Sequence, residues 1–133
     1  KLEEMRKMQE MGVHLHIELW ECEPDMLNNP QGVEQAMTEA AHKANCTVVQ
    51  KVIHQFSPHG VSGVVVLAES HISVHTWPEL GYAALDVFTC GSQCTPKSAA
   101  DHLIHAFSAK KSTVKSFSRG IPEPAVQRVA KIA

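Results

Sequence analysis

Residues 69–91 read ESHISVHTWPELGYAALDVFTCG, and the chain is organised around this stretch. Apolar residues alternate with polar ones on both sides of a Trp-Pro-Glu-x-Gly segment, which is the pattern of strands buried on one face. We therefore predict two strands, Ile72 to Trp77 and Tyr82 to Thr89, joined by a short connection over Pro78 to Gly81. A Glu-Ser bond, two histidines and a cysteine interrupt the apolar pattern. So many reactive groups in one hairpin indicate a functional site.

The pairing of these two strands follows from the connection between them. If Trp77 lies opposite Tyr82, antiparallel pairing brings Ser70 opposite about Thr89, next to Cys90. The register therefore predicts that the Glu-Ser bond and the cysteine lie side by side, although they are far apart in the chain.

A second hairpin precedes the first one. Val64 to Leu67 is a continuous apolar run, for which we predict a strand buried on both faces and paired with the strand that follows Ser70. This pairing puts Val65 roughly opposite His75 and Ser62 diagonally near it. Because a strand rises about 3.3 Å per residue, the step from Ser70 to His75 spans on the order of 16 Å. We therefore expect that His75 does not reach Ser70 of its own chain.

The rest of the sequence supplies further strands and two helices. Alternation of apolar and polar residues predicts strands, and apolar stripes at helical spacing predict helices. The predicted strands are Val13 to Leu19, Thr47 to Phe56 and Thr113 to Ser118, and the predicted helices are Gln31 to Ala44 and Pro96 to Lys111. The sum predicts an α+β fold, an antiparallel-rich sheet with two helices packed on one face.

Loops and chain ends show their own signals. Pro24 and the segment Asn28 to Pro30 predict a loop before the first helix. Thr95 predicts the N-cap of the second helix, with a proline at its first position and lysines at its end. The spacing of apolar residues from Leu2 to Met11 favours a short N-terminal helix or a frayed arm. No linker interrupts the sequence, so we predict a single domain over residues 1–133.

Length and charge restrict the class of protein. A chain of 133 residues suits one domain with a modest core, and 44% hydrophobic with 20% charged residues is typical of globular proteins. The net charge is only −2, so we expect neither a nucleic acid nor an anionic membrane as partner. No apolar run approaches the roughly 18 residues of a membrane span, and the charged start is unlike a secretion signal. We therefore expect a cytoplasmic protein.

The four cysteines do not form a recognisable framework. Cys90 and Cys94 are spaced wrongly for a zinc knuckle, and no second pair lies at a matching distance. Without a secretory signal, a disulfide framework that includes Cys22 and Cys46 is not expected either. The sequence therefore predicts free thiols.

The nine histidines offer metal sites only as an alternative reading. His14, His16 and Glu18 share one face of a predicted strand, and His102 shares a helix face with His105. Solvated or hydrogen-bonded histidines are the commoner outcome of such patterns. We therefore predict no bound metal.

The opening stretch contains the Glu69-Ser70 bond, His75, the Trp-Pro-Glu turn and Cys90. Together they closely resemble the signature of prokaryotic S-adenosylmethionine decarboxylase proenzymes, a pyruvoyl-dependent family. The resemblance extends from about Gly12 to Gly120 and is strongest between Phe56 and Gly91. It implies that the chain cleaves its own backbone between Glu69 and Ser70, giving a β chain of residues 1–69 and an α chain of residues 70–133. The resemblance also implies a pyruvoyl cofactor that the protein generates from Ser70.

The resemblance assigns chemical roles to individual residues. Ser70 Oγ attacks the carbonyl carbon of Glu69, and the resulting ester loses the serine oxygen by β-elimination, which leads to the pyruvoyl group. His75 matches the histidine that accepts the α-proton of this ester, a task suited to a neutral imidazole. Ser62 matches a serine that hydrogen-bonds the intermediate of the acyl shift. Cys90 matches the proton donor of the later decarboxylation, in which the pyruvoyl group holds the substrate as a Schiff base and serves as electron sink.

The resemblance also bears on the substrate. Phe56 matches an aromatic residue that stacks on adenine, which contributes about 1–3 kcal/mol per base, and Glu79 matches a carboxylate that binds ribose hydroxyls. The implied reaction is decarboxylation of S-adenosylmethionine, which gives the aminopropyl donor for spermidine and other polyamines. Two alternatives stay open: a sister decarboxylase of ornithine or arginine, and a non-processing homologue that regulates an active partner. The first predicted strand and Cys94 depart from the family pattern without removing a catalytic residue.

The expected separation of Ser70 from His75 predicts a homodimer. If each site needs both residues, a two-fold-related protomer must supply Ser62 and His75, together with Phe56 and Glu79. The family resemblance also implies active sites at a dimer interface.

Overall fold

The structure is a computed structural model that describes residues 10–121. These residues form six strands, and every neighbouring pair of strands is antiparallel. The strands are β1 (Gly12–Trp20), β2 (Val48–Gln55), β3 (Val61–Leu67), β4 (Ser70–Trp77), β5 (Tyr82–Cys90) and β6 (Lys111–Arg119). They form one sheet in the order β2-β3-β4-β5-β1-β6. The predicted antiparallel sheet is confirmed.

Two longer helices and two single turns connect the strands. The helices are α1 (Pro24–Leu27), α2 (Pro30–Lys43) and α3 (Pro96–Ala106), and a 3-10 turn spans Pro78–Leu80. Each begins with a proline, whose missing N–H is tolerated at the first helical position. Helices α2 and α3 pack against each other and against the sheet. The prediction of two helices packed on the sheet is confirmed.

The sheet has one buried face and one open face. Along β5, the side chains of Ala83, Leu85 and Val87 are buried, whereas those between them are half-buried. The same alternation supplies the core from the other strands, where the buried residues include Leu15, Ile17, Leu19, Val61, Val65, Leu67, Ile72 and Val74. By the same alternation, the opposite face carries the polar side chains of the sequence motif. We call this surface, which bears His14, His16, Ser62, His71, Ser73, His75, Asp86 and Cys90, the open face.

The strand register around the motif agrees with the sequence in one hairpin and corrects it in the other. Trp77 pairs with Tyr82 and Ser70 pairs with Thr89, as predicted. In the preceding hairpin, Ser62 lies directly opposite His75, whereas Val65 lies opposite Ile72 and not opposite His75 as predicted. The expected diagonal placement was wrong because the turn before Ser70 contains only two residues.

The third strand is buried on only one face. Val64 and Val66 are 39% and 38% exposed, so the prediction of burial on both faces was wrong. Branched apolar side chains favour a strand whether or not its second face is covered. In the described chain helices α2 and α3 lie on one side of the sheet, and the other side of Val61–Leu67 is left uncovered.

One loop and one helix end differ from the prediction. The segment after Pro24 is one helical turn rather than a loop. Helix α3 ends at Ala106 because Ser108 adopts a φ of 51°, and Lys111 begins β6 instead of ending the helix. Thr95 is the N-cap residue, but its side chain makes no capping hydrogen bond.

The predicted N-terminal helix from Leu2 lies almost wholly outside the described residues, as does the tail after Ile121. In residues 10–121, no helix combines the length and the apolar character that crossing a membrane requires. The single domain over residues 1–133 and the cytoplasmic location stay predictions.

Candidate active site

The predicted cleavage bond lies in the tight turn between β3 and β4. Leu67 pairs with Ser70, so only Ala68 and Glu69 form the turn. Ser70 has a φ of 147°, in a region that residues other than glycine rarely adopt and that costs on the order of 1–3 kcal/mol. Backbone strain is therefore concentrated at the residue whose preceding peptide bond is predicted to break.

Two contacts fix Glu69. The backbone N–H of Thr47 donates to Glu69 Oε1 over 2.9 Å, and this hydrogen bond lowers the pKa of the Glu69 carboxyl. The backbone carbonyl of Glu69 accepts a hydrogen bond from the N–H of Cys90, with 2.8 Å between the two atoms. Such a donor polarises a carbonyl and stabilises the oxyanion that forms when a nucleophile attacks it. The carbonyl of the predicted cleavage bond therefore has a donor in position.

The Ser70 hydroxyl contacts a histidine that the sequence pattern does not single out. Ser70 Oγ lies 3.4 Å from His71 Nδ1, and His71 Nε2 lies 3.3 Å from Asp86 Oδ2. Because a carboxylate only accepts hydrogen bonds, His71 Nε2 carries the proton and Nδ1 is free to accept one from Ser70. Asp86 thereby orients an imidazole whose unprotonated nitrogen faces the serine hydroxyl.

Asp86 is the centre of a polar network on the open face. Its Oδ2 also accepts a hydrogen bond from His14 Nε2 over 2.6 Å, and its Oδ1 accepts one from Ser73 Oγ. Arg119 Nη1 donates to His14 Nδ1 over 3.1 Å, which fixes the tautomer of that histidine as well. The sequence signal for this network is a single acidic residue in the apolar pattern of β5, diagonal to histidines on both neighbouring strands.

A second group of predicted site residues lies at the far end of β4. Ser62 Oγ and His75 Nδ1 are 2.5 Å apart, in hydrogen-bonding contact. A cavity of about 380 Å³ is lined by Phe56, Ser62, His75 and Glu79, among others. Glu79 Oε2 lies 3.1 Å from His59 Nε2, which holds the carboxylate at the cavity wall. The structure therefore brings these four predicted residues together.

The two groups are separate within one protomer. Ser70 pairs with Thr89 and His75 pairs with Ala84, so five residue steps of extended strand lie between them. At about 3.3 Å per residue this separation is on the order of 16 Å. Glu69, Ser70 and Cys90 thus form one half-site, and the residues around His75 form another.

The histidine groups suggested by the sequence do not converge on a common point. The His14 and His16 rings are 4.7 Å apart, but the Glu18 carboxylate accepts a hydrogen bond from a tyrosine hydroxyl instead. On α3, burial lowers the pKa of His102, whose Nε2 lies 3.9 Å from a carboxylate of α2 rather than beside His105.

Two other sets have the spacing of metal ligands. The ligand atoms of His14, His71 and Asp86, and those of Cys46, Glu69 and Cys94, lie within 4.8 Å of one another in each set. In the first set, hydrogen bonds among the three side chains already use these atoms. The second set spans the predicted cleavage bond, because Cys46 precedes it and Cys94 follows it.

Comparison with known proteins gives consistent matches over most of the chain. The S-adenosylmethionine decarboxylase family model matches residues 13–120. An S-adenosylmethionine decarboxylase proenzyme of Pelotomaculum thermopropionicum is 48% identical over 126 residues, which cover 94% of this chain and 100% of the relative. One from Thermodesulfovibrio yellowstonii is 47% identical over 114 residues, 86% of this chain and 84% of that protein.

A solved structure agrees with the fold. The crystal structure of the adenosylmethionine decarboxylase from Aquifex aeolicus superposes with a TM-score of 0.81 at 36% sequence identity. The match covers 87% of this chain and 96% of that chain. Fold, strand register and sequence therefore agree, and the chain belongs to the S-adenosylmethionine decarboxylase family, whose proenzymes use a self-generated pyruvoyl group.

Proposed function

We propose that the chain is a self-processing S-adenosylmethionine decarboxylase that cleaves its own backbone between Glu69 and Ser70. Cleavage leaves a β chain of residues 1–69 and an α chain of residues 70–133 that begins with a pyruvoyl group. One observation carries the proposal. The Glu69 carbonyl accepts a hydrogen bond from the Cys90 N–H over 2.8 Å, while Ser70 Oγ faces His71 Nδ1 at 3.4 Å. Electrophile, nucleophile and base are thus together in the uncleaved chain.

The first step moves an acyl group from nitrogen to oxygen. His71 accepts the hydroxyl proton of Ser70, and Oγ attacks the carbonyl carbon of Glu69. The Cys90 N–H stabilises the negative charge on the carbonyl oxygen. When the C–N bond breaks, the nitrogen takes up the proton, and an ester joins Glu69 to the Ser70 side chain. Release of the strain at Ser70 favours this step.

The second step needs a base at the α-carbon of residue 70. We assign it to His75 of a second protomer, because His75 of the same chain lies five residue steps away along β4. If Ser62 Oγ accepts the hydrogen bond from His75 Nδ1, then Nε2 is unprotonated and able to accept a proton. Loss of the α-proton expels the Glu69 carboxylate from the β-carbon and leaves dehydroalanine. Its enamine tautomerises to an imine, which takes up water and releases ammonia, leaving the pyruvoyl group.

The residues around position 70 fit a pyruvoyl group. Residue 70 begins β4 and pairs with Thr89, so the group would stand beside Cys90. The group supplies an electron sink when it binds a substrate amine. The Cys90 side chain is only partly buried and lies on the open face, where it is placed to donate a proton to the carbon that has lost CO2.

The cavity beside His75 suits a nucleoside. Phe56 is 48% exposed and offers an aromatic surface on which adenine stacks, and Glu79 offers a carboxylate that binds the two ribose hydroxyls. An aromatic surface and a carboxylate in the lining of one cavity favour S-adenosylmethionine over an amino acid that lacks a nucleoside.

The two half-sites support a homodimer with shared active sites. A two-fold axis beside the open face would bring Ser62, His75, Phe56 and Glu79 of one protomer to Ser70 and Cys90 of its partner. The open face also exposes large apolar side chains from several strands, which favour an interface between copies of the chain. These side chains are Trp20, Val64, Val66, Trp77 and Phe117.

Substrate turnover tests the proposed function. We expect the purified protein to release labelled CO2 from carboxyl-labelled S-adenosylmethionine, and Phe56→Ala to raise KM roughly tenfold, since base stacking contributes about 1–3 kcal/mol. Val49→Ala removes a still more exposed apolar side chain (62%) outside the cavity and should leave KM unchanged. Turnover of ornithine or arginine in its place would establish the sister decarboxylase. A protein that neither cleaves itself nor releases CO2 would be the regulatory homologue.

A further inference from the structure

Cys46 and Cys94 form a buried thiol pair that the proposed chemistry does not use. Their Sγ atoms are only 2.8 Å apart, and the two side chains are 7% and 9% exposed. Cys46 follows the end of α2, and Cys94 precedes the start of α3. The pair therefore lies where the ends of the two packed helices meet.

Hydrogen bonds between the residues flanking the two cysteines hold them together. The N–H of Thr95 donates to the carbonyl of Ala44 over 2.8 Å, and Asn45 Nδ2 donates to the carbonyl of Gln93 over 3.2 Å. Each of these four residues is within two positions of Cys46 or Cys94. The close approach of the two thiols is therefore fixed by the packing of the segments that carry them. A disulfide, with its bond of about 2.05 Å, requires only small side-chain movements.

We propose that Cys46 and Cys94 form a disulfide that joins the two chains produced by self-cleavage. The proposal rests on the proposed cleavage between Glu69 and Ser70, because only then do the two cysteines belong to different chains. The β chain would carry Cys46, and the α chain would carry Cys94. The disulfide would therefore link the β chain covalently to the α chain.

Bond formation needs an oxidant, and the proposed one is a small-molecule disulfide such as oxidised glutathione. The thiolate of Cys94 attacks one sulfur of the small disulfide and releases one thiol. The thiolate of Cys46 then attacks the mixed disulfide and releases the second thiol. The balance is two protein thiols and one small disulfide giving one protein disulfide and two small thiols. Cys94 comes first because it lines a cavity of about 290 Å³, which gives the oxidant a path.

The local environment makes this exchange slow in both directions. Burial raises the pKa of the Cys46 thiol to about 12 and also raises the pKa of the Cys94 thiol. Few thiolates are therefore present at neutral pH, and attack is slow. The same burial shields the finished bond from soluble reductants. We expect a cross-link that forms over hours and persists.

The position of the link suits a molecule that has cut its own backbone. The cleaved end at Glu69 is held by hydrogen bonds to Thr47, the neighbour of Cys46. Without a covalent link the two chains are separate molecules after unfolding and must find each other to refold. A disulfide keeps them at a high effective concentration.

Peptide mapping of the oxidised protein tests the proposal. The purified protein is equilibrated with oxidised glutathione, alkylated without reduction and digested with trypsin. We expect peptide 44–51, which contains Cys46, to be linked to the peptide that contains Cys94, with Cys90 alkylated. After cleavage, denaturing electrophoresis should show one band without reductant and two bands with it. Cys46→Ser and Cys94→Ser should give two bands in both lanes, whereas Cys22→Ser should match the unchanged protein.

The map separates the failure of this proposal from the failure of self-cleavage. Ser70→Ala cannot cleave, yet its peptides 44–51 and 52–97 should still be linked through Cys94. Free Cys46 and Cys94 after equilibration, in either protein, would overturn the disulfide. A link to Cys90 instead would overturn it as well. So would protection of the two thiols by added Zn²⁺ with no linked peptide, which would assign the pair to a metal site.

Discussion

Ser70 combines a strained backbone with a base within reach of its side chain. Its φ of 147° and its 3.4 Å contact with His71 Nδ1 occur at the same residue. The hydrogen bond from His71 to Asp86 fixes which imidazole nitrogen faces the hydroxyl. These features concern the first chemical step only, because His75 lies several residues further along the same strand. We therefore propose different and separable tasks for the two histidines.

Substitution of the two histidines should stop processing at different points. His71→Ala should slow the acyl shift about 100-fold or more, the usual contribution of a positioned general base. His75→Ala should form the ester but not eliminate it. Hydroxylamine splits esters and not ordinary peptide bonds, so it should cut the chain at position 69 in His75→Ala and leave His71→Ala intact.

An exposed histidine provides the control for this pair. His42, in the last turn of α2, is exposed and lies on the helix side of the sheet rather than on the open face, so His42→Ala should process at the normal rate. Equal hydroxylamine cleavage of the His71 and His75 variants, both with unchanged circular dichroism, would remove His71 from the first step.

At the scale of the elements, one buried threonine joins three segments next to the cavity beside His75. Thr76 is 6% exposed, and its hydroxyl donates to the carbonyl of Leu27 over 2.8 Å and accepts from the N–H of Val61 over 2.9 Å. Thr76→Val keeps the shape but leaves both backbone groups without this partner. We expect a loss of about 1–3 kcal/mol in the free energy of unfolding.

Urea titration in the Ser70→Ala background, at one protein concentration, measures this loss on a single uncleaved chain. Thr113→Val, at an exposed position of β6, should change the unfolding free energy by less than about 0.5 kcal/mol. Equal stability of Thr76→Val and its parent would show that the three segments are held together without this hydroxyl.

The elements also show how far the sequence predicts the fold. The β4–β5 hairpin was predicted in correct register because its turn residues and its period of two leave one arrangement. The end of α3 was not, because Phe107 is buried and continues the apolar stripe beyond the last helical residue. The full burial of Val64 was also wrong, since branched side chains favour a strand on any face.

The site was predictable only in part, because some of its contacts join strands that are remote in sequence. Residues placed by local pairing, such as Ser70 beside Cys90, follow from the register of one hairpin. The contacts of Asp86 with His14 and His71 join three strands, of which β1 is remote in sequence. Period and turn signals carry no information on which distant strand becomes a neighbour. The hydrogen bond from Cys90 N–H to the Glu69 carbonyl is likewise a backbone contact that no side-chain pattern encodes.

At the scale of the whole molecule, the proposed dimer unites half-sites that one protomer keeps apart. Ser70→Ala lacks the nucleophile, and His75→Ala lacks the base for elimination, so each is expected to stay unprocessed alone. In a mixed dimer, one shared site would carry both defects and the other would carry neither. Co-expression should therefore restore cleavage of the His75→Ala chain in every mixed dimer, while the Ser70→Ala chain stays uncleaved.

Mixed dimers are isolated through two different affinity tags and examined by electrophoresis. Co-expression of His75→Ala with itself under two tags is the matched control and should show no cleavage. Absence of cleavage in mixed dimers that carry both tags would mean that Ser70 and His75 act within one chain.

The mass of the intact purified protein tests self-cleavage at Glu69–Ser70 most directly. After incubation at neutral pH, denaturation and reduction, we predict two masses. One should equal residues up to Glu69 with a free carboxylate, and the other should equal residues 70–133 with a pyruvoyl group in place of Ser70. The α chain should also resist N-terminal degradation, and Ser70→Ala should keep a single full-length mass. A single full-length mass for the unchanged protein after prolonged incubation, or an α chain that begins with unmodified serine, would contradict the account.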